Sequence, residues 1–84
     1  MHLILCFFGE KMIDKKTVGR RIRHLRKISR VTQTELSLCL RMPRVWVSRL
    51  ENGTDEISVQ TINDVAKIFR CDIDWLILDR DVNA

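Results

Sequence analysis

Proline occurs once in this chain, at Pro43, and there is no Pro/Gly/Ser-rich linker, low-complexity segment or internal repeat. The 84 residues therefore read as one small domain with one modest core. No stretch after residue 14 alternates apolar and polar positions as a half-buried strand does. Cys-x-x-Cys pairs are also missing. Cys6, Cys39 and Cys71 are odd in number and scattered, and the only histidines are His2 and His24, so a metal site lacks ligands and reduced thiols in a cytosolic chain are expected. The longest apolar run, residues 3–8, is too short to span a bilayer and lacks the flanks of a secretory signal. No Ser/His/Asp or Cys/His constellation and no Gly-rich phosphate loop is available, which argues against an enzyme and against a cofactor.

What is present is charge, unevenly placed. Residues 15–53 hold eleven Lys/Arg against Glu35 and Glu51, a net of +9, whereas residues 54–84 hold three basic groups against seven acidic ones, a net of −4. A concentrated positive field of this kind suits a polyanion, with nucleic acid first and an anionic membrane second. A basic helix face can also be merely solvated, so charge alone does not decide. The apolar content of 45% excludes wholesale disorder.

The apolar residues that remain are spaced for helices. Val18, Ile22, Leu25 and Ile28 or Ser29 form a stripe over residues 16–29, with Arg20, Arg21, Arg23 and Lys27 on the other sides. Thr32 stands three residues before Glu35, the capping-box spacing, and predicts a second helix over 33–40 with Leu36 and Leu40 inward. Pro43 fits only the first turn of a third helix, 44–51, with Val47 and Leu50 inward, ending at Asn52-Gly53. Ser58 caps a fourth over 59–69, with Ile62, Val65, Ala66 and Phe69 inward. Asp72 or Asp74 opens a short fifth carrying Ile73, Trp75, Leu76 and Ile77. Five helices joined by short connections make a compact all-α domain over 15–79, with an N-terminal extension, 1–14, and a tail, 80–84. The extension is β-prone at residues 3–8 and has no partner strand; it covers Leu38 and Cys39, pairs with its own copy, or is a leader preceding a true start at Met12.

Three segments, "GRRIRHLRKISRVTQTELS", "VSRLENG" and "SVQTINDVAKIFRCDIDWLI", in this order and spacing, resemble the helix-turn-helix family of phage repressors and Cro-type regulators, the XRE or Cro/C1 type. The resemblance covers about residues 18–78. It implies a lambda-repressor-like five-helix fold in which the third helix enters the major groove of double-stranded DNA and the second crosses above it. The positions matching the family's base-reading side chains are Arg44, Val45 and Arg49: an arginine can donate a bidentate pair to guanine, and a valine can meet a thymine methyl. Gln33 and Asn52 match positions that touch the phosphate backbone, and Arg20, Arg23, Lys27 and Arg41 are further phosphate neutralisers. Trp46 lies along the sugar-phosphate edge or packs on helix two. Arg26 and Glu51 match a partly buried ion pair that is structural. This chain departs from the family pattern at Arg41, where the turn usually has glycine, at Pro43, where a polar N-cap is usual, and at Ser37, where alanine is usual.

The implied function is a transcriptional regulator, of repressor or restriction-modification controller type, that binds a palindromic operator as a homodimer in the cytoplasm, associated with the nucleoid. Helix five, through Trp75, Ile77 and Leu78, is the expected dimer surface. The alternatives are an antitoxin-type regulator and a protein-interaction module on the same scaffold. The second of these calls for an apolar third helix, and here that helix carries Arg44, Arg49 and Asn52. Neither an effector domain nor a small-molecule pocket is expected, and a membrane-surface role is disfavoured because the stripe of helix one is needed for the core.

Overall fold

The computed structural model describes residues 14–77, which form five helices: α1 Lys15–Ile28, α2 Gln33–Leu40, α3 Arg44–Asn52, α4 Val59–Phe69 and α5 Ile73–Ile77. The β-prone segment 3–8, Leu78 and the tail lie outside the described residues.

Short polar side chains start three of these helices. The carboxylate of Asp14 accepts from the backbone N–H of Lys16 at 3.2 Å and from the hydroxyl of Thr17 at 2.8 Å. Thr32 accepts from the N–H of Glu35 at 3.0 Å while Glu35 Oε1 accepts from the N–H of Thr32 at 2.8 Å, the reciprocal capping box that the spacing predicts. Ser58 accepts from the N–H of Thr61. Pro43 opens α3 with no side-chain bond, and its carbonyl takes the N–H of Trp46 at 2.9 Å. Replacing a polar cap by proline thus leaves the first N–H groups of α3 without a side-chain acceptor.

The helices end on one device, repeated. After α1, α2, α3 and α4 a residue in the left-handed region turns the chain, and the next N–H returns to a carbonyl of the last turn: Val31 to Arg26, Met42 to Ser37, Thr54 to Arg49 and Cys71 to Ala66. Gly53 fills this position once (φ 71°), while Arg30, Arg41 and Arg70 fill it at φ 59°, 57° and 55°. The turn between α2 and α3 therefore keeps the glycine backbone although it carries arginine.

The core is Val18 and Ile22 of α1, Leu36 and Leu40 of α2, Val47 and Leu50 of α3, Ile62, Val65 and Ala66 of α4, Leu76 of α5, and Ile57 from the loop before α4. Two expectations change. Ile28 is 63% exposed: it is the last residue of α1, one turn beyond Leu25, which still packs against the core. Ile57 is buried although it belongs to no helical stripe. Phe69 packs only at the core margin.

Helix α1 packs along α3, and α2 packs across α3. The first approach is close enough to require Gly19: a Cβ there would collide with the carbonyl oxygen of Leu50 and lie 2.9 Å from that of Glu51. Helix α5 closes the other side, lying between α1 and α4. Arg21 holds it there by donating from Nη1 to the carbonyl of Trp75, with its guanidinium 5.4 Å from the Trp75 ring centroid.

Candidate nucleic-acid interface

Helix α3 is two-faced. Val47, Leu50 and Glu51 point inward, while Arg44, Val45, Trp46, Arg49 and Asn52 are exposed. The exposed set is the one assigned by resemblance to base and backbone contacts. Val45 is 56% and Trp46 50% exposed, large apolar surface for a helix whose other face supplies the core. At the amino end of α3, Arg44, Val45 and Trp46 are consecutive. One turn later, Arg49 lies with its guanidinium 6.0 Å from the Trp46 ring centroid. Trp46 is thus a shelf beneath an arginine on the outer face.

Behind this face runs a chain of polar contacts that periodicity does not reveal. Arg26 reaches from α1 and makes a forked pair with Glu51, Nε to Oε2 at 2.6 Å and Nη2 to Oε1 at 3.1 Å. Its third nitrogen, Nη1, donates to the carbonyl of Val31 at 3.0 Å, at the entry to α2. The side chains of Arg26 and Glu51 are 12% and 2% exposed, so this is a buried pair. The hydrogen bonds that Arg26 donates to Glu51 hold its guanidinium above its ordinary, already high pKa. Arg26 and Glu51 therefore tie α1, α3 and the entry to α2 together at one point.

Gln33 extends the chain outward. Its Nε2 donates to Glu51 Oε1 at 3.1 Å, and its Oε1 accepts from Arg44 Nη1 at 2.9 Å. Because Glu51 is acceptor-only, the amide has one orientation, which leaves its oxygen facing Arg44. The Gln33 side chain is thereby committed to Arg44 and Glu51, while the free backbone N–H groups at the start of α2 remain available to an anion. The resemblance places Gln33 at a phosphate-contacting position and does not include this link. A glutamine two residues after a turn gives no sign of which neighbour it will meet.

The basic residues fall into two groups. Arg23, Lys27 and Arg41 are exposed, and their side chains make no hydrogen bond or ion pair among the described residues. Arg20 is exposed as well, and its charge helps to hold the Asp14 carboxyl below its ordinary value, after the larger effect of the Thr17 hydroxyl. Arg20, Arg23 and Lys27 are spaced three and four apart on the side of α1 away from Val18 and Ile22, a solvated stripe. Among the described residues no hydrogen bond or ion pair joins this stripe to the outer face of α3. Arg49, in contrast, is paired: its Nη2 donates to Asp55 Oδ1 at 2.9 Å. Asp55 had no assigned role in the sequence, because a lone aspartate in a loop is among the commonest of surface residues. Ser37, set where α2 and α3 pack closely, is buried and donates to the carbonyl of Thr34 at 2.6 Å, so its hydroxyl is satisfied within its own helix.

Among the described residues no helix is long and apolar enough to cross a membrane. The family model for the helix-turn-helix domain matches residues 17–75. The chain is 34% identical over 65 residues to the "ImmF control region 10 kDa protein" of Bacillus phage phi105, covering 77% of this chain and 72% of that protein. It is 33% identical over 61 residues to the "HTH-type transcriptional regulator DicA" of Escherichia coli (strain K12), covering 73% of this chain and 45% of DicA, so it spans less than half of that relative. The family match runs from the buried Thr17 of α1 through both helices of the motif to Trp75 of α5, and with the two relatives it places the chain in the XRE/Cro-C1-type helix-turn-helix family of phage-repressor-like transcriptional regulators.

Proposed function

We propose that the protein is a sequence-specific regulator of transcription that binds double-stranded DNA as a homodimer, with α3 in the major groove. The observation that carries this reading is the outer face of α3, where Arg44, Val45 and Arg49 stand exposed on a helix whose inner face is fixed by Val47, Leu50 and Glu51. An arginine at either end offers forked donors for guanine, and Val45 offers apolar surface for a thymine methyl. Arg20, Arg23, Lys27 and Arg41, with the backbone at Gln33 and the side chain of Asn52, supply contacts to phosphate, which set register without reading sequence. The relatives' names, a phage control-region protein and a transcriptional regulator, support a regulatory role.

The test selects bound fragments from a random DNA pool and then measures affinity for the selected site and for scrambled DNA across a salt series. Arg44→Ala and Arg49→Ala should each cost about 1–3 kcal/mol on the selected site and relax preference at one base pair. Arg23→Ala and Lys27→Ala should weaken all DNA alike and flatten the salt dependence by about one unit each. If both α3 variants keep the full ratio of selected to scrambled binding, α3 does not read bases and the proposal falls.

A further inference from the structure

We infer that Asp55 is a specificity-determining residue, a positioning group that holds Arg49 for base reading and removes it from general attraction to phosphate. The inference rests on the reading of α3 as the helix that enters the groove.

The geometry is a closed ring. The chain leaving α3 turns at Gly53, and Thr54 folds back onto Arg49 itself, its N–H and hydroxyl donating to the Arg49 carbonyl at 3.1 and 3.2 Å. That anchor delivers the next residue, Asp55, to the Arg49 side chain, where Oδ1 accepts from Nη2 at 2.9 Å. Although it sits in a loop, the Asp55 side chain is only 20% exposed, whereas that of Arg49 is 55% exposed. The carboxylate is thus tucked against the guanidinium while the arginine still reaches outward, with Trp46 as a second restraint.

Donor bookkeeping allows both partners at once. A guanidinium has five N–H donors in a fixed plane; Asp55 takes one, and a guanine edge needs two. Fixing the plane in advance reduces the rotamer freedom that binding must otherwise freeze. The electrostatics point the same way. A carboxylate at hydrogen-bond distance cancels much of the arginine's charge as a phosphate would feel it. An arginine meant only for the phosphate backbone gains nothing from such a partner, and Arg23, Lys27 and Arg41 have none among the described residues. Asp55 therefore sorts Arg49 from the phosphate-seeking set.

The experiment uses the full chain with Asp55→Ala, Asp55→Asn, Arg49→Ala and the Asp55→Ala/Arg49→Ala double variant, on the selected site and on scrambled DNA across a salt series. Both single Asp55 variants are expected to bind scrambled DNA more tightly, with a salt dependence steeper by about one unit as Arg49 is freed to act as a simple cation. Their ratio of selected to scrambled binding should fall about five- to tenfold, with the loss confined to the base pair whose preference Arg49→Ala relaxes. In the double variant the Asp55 change should lower the ratio no further than Arg49→Ala alone. Asp55→Asn keeps the shape of the side chain, and unfolding midpoints of all variants separate these effects from loss of fold. An unchanged ratio in Asp55→Ala overturns the inference, and a raised ratio overturns it by showing that the carboxylate draws Arg49 away from the bases. If the unaltered chain prefers no sequence at all, it is the DNA-reading assignment that fails, and the role of Asp55 fails with it.

Discussion

Arg30, Arg41 and Arg70 hold a left-handed backbone at the ends of three helices, a conformation that costs an L residue roughly 1 kcal/mol relative to glycine. A cation near a helix C-terminus recovers part of that cost. At Arg41, beside α3, the side chain is exposed and has no partner among the described residues, so its charge is also available to DNA. Arg41→Gly should therefore raise stability by up to about 1 kcal/mol in urea unfolding while weakening binding to all DNA sequences. Arg70→Gly, closing α4 in the acidic half, should give the same gain with DNA affinity unchanged. Of these sites only Arg41 was legible beforehand, as a missing glycine in a recognised turn; arginine gives no signal of a left-handed φ at Arg30 or Arg70. Asp14 was read neither as a cap nor as a perturbed acid, although an aspartate just before an apolar stripe is a cap signal. Asp14→Ala should cost about 1 kcal/mol near neutral pH. The Thr17 hydroxyl bond keeps the folded-state pKa of Asp14 below its ordinary 3.8, so its contribution is present above that value and is lost as pH falls through the folded pKa. The wild-type and variant melting curves should accordingly converge in acid.

At the scale of the elements, helix boundaries were the most readable feature. The bounds 33–40 and 59–69 expected for α2 and α4 are those observed, because Thr32-Glu35 and Ser58 are caps with a local mechanism. What periodicity missed was tertiary. Ile28 fits the stripe of α1 but ends exposed, and Ile57 joins the core although a loop carries it. Gly19, inside a helix, was a signal left unused; a glycine there marks a close approach. Gly19→Ala should destabilise strongly, because the new methyl meets backbone carbonyls of α3 that cannot yield as a side chain does. Calorimetry should show a lower melting temperature, with α1 and α3 forced apart. The buried pair has its own signature. Arg26→Met should cost about 3–5 kcal/mol by stranding the Glu51 carboxylate, and Arg26→Met/Glu51→Leu should recover much of that loss. If the double variant is as unstable as the sum of both single ones, the pair does not act as a unit.

For the whole molecule, the all-helical class followed from the spacing of apolar residues and the family from three motifs, whereas how copies associate is written in neither. We expect a two-fold dimer whose half-sites lie about 34 Å apart or a multiple of that. Its contact should fall on α5, where Ile73 is 40% exposed beside the partly buried Ile77. Trp75, also expected there, is partly covered by Arg21. Ile73→Glu should shift sedimentation toward monomer and weaken operator binding without lowering the melting temperature. A wild-type chain that stays monomeric at high micromolar concentration, with and without DNA, would contradict this arrangement. The polar chain that runs from Arg44 through Gln33 to Glu51 and Arg26 also grades how freely each position can change. Its outer end can vary with little structural consequence, its middle only if a new side chain still satisfies a carboxylate, and its inner end hardly at all. On the proposed reading, descendants of this protein can therefore drift to new operators by rewriting the outward residues of α3, while the frame that holds the helix is inherited unaltered.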